Sequence, residues 1–208
     1  MDPPPIPDWQ RLPVGLHPMT ATPGPLPRGG RRSWAYEPAW AGNRILIAVE
    51  GGRTRITDSS GADVGAGYPE LRALGPTLGS RVCLLDGEVI APGKDGRPDA
   101  ELLTRRPAIK AAPGARNLRE VPVTFLAFDL LHLDGRDTTG LPYRERRNRL
   151  ESLGLGGDRW SVAPAVPGRG REALKVARDL GLRGVIAKRL ASPYQLGTQS
   201  LDWVLFQD

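Results

Sequence analysis

Residues 44–57, RILIAVEGGRTRIT, set two short apolar-rich runs on either side of Gly51 and Gly52. That arrangement predicts a β-hairpin, and a hairpin commits its strands to antiparallel pairing. VCLLDGEVIAP and VPVTFLAFDLLHL are strand-like by their β-branched and aromatic content, and GVIAKRL and DWVLFQ supply two more strands near the carboxyl end. Helix signals are mixed in among the later runs. The polar segment between the second and third strand signals predicts a short helix over 100–105. PYRERRNRLESLG has Pro near a helix start, Gly at its end, and Leu150 and Leu153 on one face. In GREALKVARDLGLRG, Ala173, Val176, Ala177 and Leu180 recur at helical spacing before Gly181 stops the helix. Hairpins precede helices, so the pattern predicts an α+β fold of antiparallel sheets flanked by helices rather than a doubly wound sheet.

A chain of 208 residues, 39% hydrophobic and 25% charged, suffices for one ordinary domain. The first thirty residues are Pro-rich and aperiodic, which predicts an extended surface lead-in over 1–30 and a folded domain over 31–208. No apolar run approaches the roughly 18 residues of a membrane span. The start, MDPPPIPDWQRLP, lacks the basic and apolar regions of a secretory signal. A lone Cys83 inside VCLLDGEVI points to a buried thiol in a reducing compartment, and the expectation is a cytoplasmic protein with no membrane partner. The two histidines, His17 and His132, make no metal site. A net charge of +6 and a pI near 10.0 favour a polyanionic partner such as DNA. Most of that charge is arginine in a Gly-, Ala- and Pro-rich chain, which codon bias would also produce, so position in the fold decides.

Five segments occur in an order that carries a resemblance: WAYEPAWAGNR, LLDGEVIAP, FLAFDLLHLDGRD, RGVIAKRLASPYQLGTQS and LDWVLF. With the connecting segments YPELRAL and LPYRERRNRLESL, they make residues 18–206 resemble the adenylation domain of ATP-dependent DNA ligases, the bacterial end-joining type above all. The resemblance implies an ATP-grasp-like nucleotidyltransferase fold. It also implies a role in DNA repair or recombination, with ATP or AMP as ligand. In that family a lysine amine attacks the α-phosphate of ATP while carboxylates hold Mg²⁺ and ribose, and late lysines neutralise phosphate charge. The chain ends at Asp208, where the family continues into an oligonucleotide-binding domain, so none is expected within it.

Matched position by position, the reactive groups are gone. The nucleophile position is Ala39 and the Asp two residues on is Ala41. The Glu that opens the fourth motif is Arg183, the last two lysines are Leu205 and Gln207, and the Ser-Arg pair after the hairpin is Asp58 and Ser59. These losses imply no catalytic residues and disfavour Mg²⁺. The surviving positions, Glu37, Arg44, Glu88, Phe128 and Lys188, imply a nucleotide-binding wall, with adenine against Phe128, Glu37 at its edge, and Arg44 and Lys188 toward the phosphates. Each has a plainer reading: Phe128 as core, Asp86 and Gly87 as a turn carrying a structural Glu88, and Lys188 with Arg189 as a solvated strand edge. For Arg183 the exchange of carboxylate for cation predicts either a pair with Glu88 that closes the pocket, or a metal-free hold on phosphate. The leading expectation is a non-catalytic ligase homologue that binds nucleotide, DNA or a repair protein. The competing ones are an active enzyme with a substitute nucleophile such as Lys188 or a partner chain, and a purely structural module whose pocket is filled by its own side chains.

Overall fold

The computed structural model describes residues 12–28, 32–109, 121–182 and 184–207. Eleven strands and four helices are present among them: β1(Thr20–Pro23), β2(Trp34–Pro38), β3(Asn43–Glu50), β4(Arg53–Asp58), α1(Leu74–Leu78), β5(Val82–Ile90), α2(Ala100–Ile109), β6(Thr124–Leu133), β7(Arg136–Asp137), α3(Tyr143–Ser152), β8(Trp160–Val162), β9(Val166–Pro167), α4(Gly170–Asp179), β10(Gly184–Arg189) and β11(Gln199–Gln207). They build two sheets. One runs β1-β11-β10-β2-β9, and the other runs β4-β3-β5-β6-β7 with β8 paired to β6. All pairs are antiparallel except β1 with β11 and β6 with β8.

The predicted hairpin is β3–β4, with Glu50 opposite Arg53 and both glycines of its two-residue turn at positive φ, 55° and 81°. Alternation along β3 and β5 sends Ile45, Ile47, Val49, Cys83, Leu85 and Val89 to one face. There they are buried with Leu71, Leu74, Leu103 and Leu150 beneath the helices. Burying an Ile47-sized side chain contributes about 1.5–3 kcal/mol. The opposite face, with Leu46, Leu84 and Leu126, turns toward the other sheet. That second sheet is backed by α4, whose Ala173, Leu174 and Ala177 are buried with Tyr36, Val185 and Ala187. Close approach explains one glycine here, since a Cβ on Gly170 would crowd the Tyr36 ring.

Several sequence expectations need correction. Val176 does not join the buried stripe of α4; it is exposed, and Leu174 takes its place. The helix expected over 100–105 extends to Ile109. Within the extended lead-in expected over 1–30, the described residues are not confined to the surface: Leu12 and Met19 are buried, Thr20–Pro23 pairs with β11, and the Met19 N–H donates to the Tyr194 hydroxyl at 3.0 Å. Asp86 and Gly87 form no turn either. They sit in the middle of β5 opposite Leu46 and Ile45, and a Cβ on Gly87 would collide with the Phe125 ring and the Leu126 carbonyl.

Candidate functional site

The inner face of the β10 sheet carries the site. Residues paired across antiparallel strands share a face, so Glu37 with Ile186, Ala35 with Lys188, Lys188 with Trp203, Ile186 with Leu205, and Gly184 with Gln207 all point the same way. Ala39 continues this face past the end of β2, where its N–H donates to the Gly184 carbonyl at 3.0 Å. From the facing sheet, β3 contributes Arg44, β5 contributes Asp86 and Glu88, and β6 contributes Phe128. The face thus has two ends, a deep one around Lys188 and Trp203 and an open one around Ala39 and Gln207.

At the deep end every charge has a partner. The Lys188 ammonium lies 2.9 Å from Glu37, and its exposure is 1%. Glu37, 2% exposed, also accepts the Tyr143 hydroxyl hydrogen bond and lies 3.7 Å from the Arg147 guanidinium. The Arg44 guanidinium grips Asp86 with two hydrogen bonds of 2.6 Å, and the Tyr194 hydroxyl donates to the same carboxylate at 2.6 Å. Behind them Arg146 makes a two-pronged contact with Asp129 at 2.7 and 2.9 Å, both groups fully buried. The start of α3 is fixed by main-chain bonds: the Tyr143 and Arg144 N–H groups donate to the Ser192 and Leu190 carbonyls, which aims Tyr143 and Arg146 inward. Phe128 is 3% exposed, with the Arg44 guanidinium 4.5 Å and the Lys188 ammonium 4.1 Å from its ring centroid.

Burial pulls the Lys188 ammonium below the usual lysine range, against the opposing pull of Glu37 and Asp129. Burial also works against the Arg44 guanidinium, but Asp86 outweighs it and the charge is held firmly. The Tyr143 and Tyr194 hydroxyls are pushed well up by burial and by their carboxylate neighbours, so they stay protonated donors.

The open end is a cleft of about 430 Å³. Its walls include Ala39, Trp40, Ala41, Leu182, Ile186 and Leu205, with Gln207 at the rim. Among the described lining residues Glu88 alone is charged. It accepts the Gly42 N–H at 3.0 Å, and burial raises its pKa against the pull of that N–H and of Arg44. Gly42 must be glycine, because a Cβ there would strike the Val89 carbonyl. Ala41 beside it holds φ at 54°, a left-handed geometry in which Asp or Asn is easier than Ala.

The structure therefore brings all five retained positions together but splits them. Glu88 faces the cleft, whereas Glu37, Arg44, Phe128 and Lys188 are packed behind it. Lys188 belongs to a central strand and is no solvated edge; Arg189 beside it does reach the surface, stacked 4.6 Å over Trp34 and paired with Asp202. The expected direction of Arg44 and Lys188 toward phosphates does not match these contacts, since both cations are turned onto carboxylates and the Phe128 ring. The expectations for Arg183 fall outside the described residues. Asp58 and Ser59 lie beyond the cleft lining, in a hairpin-end turn where Asp58 caps the N–H groups of Ser60 and Ala62. His17 contacts the Ser59 carbonyl through Nδ1, and His132 stands in β6 opposite Asp137. Sequence reasoning missed Asp86, Tyr143, Tyr194 and the Arg146–Asp129 pair. For Asp86, Asp129, Tyr143 and Arg146 the signal was a polar group inside a strand or helix-face pattern, which must find a partner when buried, whereas Tyr194 lies in the loop before β11 where no such pattern marks it.

Among the described residues no group of three His, Cys, Asp or Glu side chains converges as a metal site. No helix there is long and apolar enough to cross a membrane.

The family model of the ATP dependent DNA ligase domain matches residues 18–206. The multifunctional non-homologous end joining DNA repair protein LigD of Mycobacterium tuberculosis is 38% identical over 189 residues, which is 91% of this chain and 23% of that protein. DNA ligase C1 of Mycolicibacterium smegmatis is 35% identical over 175 residues, 81% of this chain and 50% of its own. Among solved structures, mycobacterial DNA ligase D complexed with ATP and MES superposes with a TM-score of 0.80 at 37% identity, covering 92% of this chain and 60% of that one. The chain thus spans about a quarter of the LigD proteins it matches and somewhat over half of the solved ligase domain. Fold, motif order and these matches agree that the chain belongs to the ATP-dependent DNA ligase domain family and is a homologue of the LigD end-joining ligases.

Proposed function

We propose that this domain is a ligase homologue that does not adenylate itself and that acts in DNA repair or recombination by binding. One observation carries the reading. The four cleft positions matching the family's nucleophile, its aspartate and its last two lysines are Ala39, Ala41, Leu205 and Gln207, while the lysine on the same face is sealed against Glu37. Attack on an α-phosphate needs an unprotonated nitrogen in line with the leaving pyrophosphate. Lys188 has a lowered pKa but no path to the cleft short of breaking its ion pair, which argues against it as a substitute nucleophile. Mg²⁺ finds one carboxylate among the described lining residues, Glu88, and a lone carboxylate desolvated by burial is a poor hard-cation site.

The cleft falls in the size range of small-ligand sites, about 300–1,000 Å³, and the adenosine part of ATP or AMP is the ligand the family predicts for it. DNA contact belongs to exposed arginines and lysines such as Arg171 and Lys175 on α4, and should weaken steeply between low and high salt. The deciding measurement is the intact mass of the protein after incubation with ATP and Mg²⁺ or Mn²⁺. An unchanged mass is expected, and a covalently attached AMP on any residue would sink the proposal.

A further inference from the structure

We infer that Arg97 receives the phosphates of a nucleotide held in this cleft, reaching them from a second trough that opens off the first. The inference rests on the reading above that an adenosine group enters the cleft, and it adds where the phosphates go. The trough has a volume of about 1020 Å³ and shares Pro98, Ala100 and Gly181 with the cleft, so a group too long for the cleft passes into the trough there. Gly181 keeps the junction low. It stands at φ 75° without a side chain, and a Cβ on it would come to 3.7 Å from the Arg97 Cδ. The Arg97 stem therefore lies beside the rim that the two cavities share. Its side chain is 56% exposed, and the Asp95 carboxylate paired with it stands 3.8 Å away. Asp95 itself is held in its turn, where it accepts the Arg97 N–H at 3.0 Å. Asp99 is engaged by the first turn of α2, accepting the Glu101 N–H at 2.9 Å and the Leu102 N–H at 3.4 Å. These carboxylates are tied to main-chain donors, whereas the Arg97 arm can swing to a ligand. Lys94 and Arg105 line the same trough and offset Asp95, Asp99 and Glu101, so Arg97 does not sit in an acidic field. A planar guanidinium offers a phosphate two parallel N–H donors, which an ammonium does not.

Titration calorimetry with adenosine, AMP and Mg²⁺-free ATP reads the two parts of the ligand separately. The expected result is that ATP binds more tightly than adenosine, with a preference that shrinks as salt rises because Arg97 is exposed. Arg97→Ala should weaken ATP about fivefold, the scale of an exposed charge pair, and leave adenosine unchanged. Arg97→Glu should weaken ATP further, and Arg97→Lys should fall between Arg97→Ala and wild type, since it keeps the charge and loses the fork. Equal losses of ATP and adenosine in Arg97→Ala would make Arg97 a shaper of the cleft wall and overturn the inference. ATP affinity indifferent to Arg97→Ala would overturn it too, and a loss of the ATP preference in Arg183→Ala would then assign the phosphates to Arg183. Either result leaves the adenosine reading standing as long as adenosine binds. Wild-type protein that binds none of the three probes overturns both. None of these outcomes bears on self-adenylation, which the mass measurement reads separately.

Discussion

The deep end and the open end of one sheet face have met opposite fates. Around Lys188 the chain keeps three ion pairs, Lys188–Glu37, Arg44–Asp86 and Arg146–Asp129, braced by two tyrosine hydroxyls. Around Ala39 the described lining residues keep one charge, the Glu88 carboxylate. The difference is a difference in what a loss costs. Removing one member of a buried pair strands its partner without water, whereas removing a cation from an open cleft strands nothing. A ligase homologue freed from catalysis would therefore shed its open-end groups first and hold its deep-end groups for folding alone. Retention of Glu37, Arg44, Phe128 and Lys188 is in this light no argument for ligand binding; only Glu88 and the cleft shape speak to that.

The sharpest way to break this comparison is to remove a deep charge. Arg146→Met leaves Asp129 buried and unpaired, and should cost about 3–5 kcal/mol in urea unfolding. A loss below about 1 kcal/mol would show that the deep network does not hold the fold together. A smaller effect, with a pH signature, belongs to Glu88. Its raised pKa means that the folded state binds this proton more tightly than the unfolded state does. Its contribution therefore favours folding at acid pH and declines as pH rises from the ordinary carboxylate range, near 4.3, through the raised folded value. Glu88→Gln should accordingly be more stable than wild type at neutral pH, with the advantage vanishing below pH ~4. An advantage that persisted into acid would assign the effect to something other than ionisation. The smallest change is at Ala41, whose φ of 54° strains any residue with a Cβ. Ala41→Gly should gain about 1 kcal/mol, and a loss instead would place a packing role on the Ala41 methyl.

Much of the fold was legible because its elements obey local rules. The Gly51-Gly52 hairpin, the apolar runs of β5 and β6 and the Gly181 stop to α4 needed only the sequence around them. The errors lie where distant packing decides. Val176 fits helical spacing as well as Leu174 does, and the sheet beneath α4 alone selects between them. Asp86-Gly87 has turn-like residue types, but the aspartate is held by Arg44 and Tyr194 from 42 and 108 positions away, and the glycine by a ring from β6. The family motifs picked out residues that lie on neighbouring strands of the two sheets. They could not tell which side chains face the cleft and which face each other, because that depends on charge pairing across two sheets.

The pairing of β1 with β11 joins residue 20 to residue 199. Strands β3 to β8, by contrast, are contiguous in sequence and complete one sheet by residue 162. During synthesis that sheet can close on itself while the first strand, already made, has no partner until the last strand has left the ribosome. The Met19 main chain, which receives Arg44 through its carbonyl and reaches Tyr194 through its N–H, is then a late fastening between the beginning and the end of the chain. Truncation from either end should consequently expose the same seam, and a nascent chain stalled short of β11 would present an unpaired edge to its neighbours.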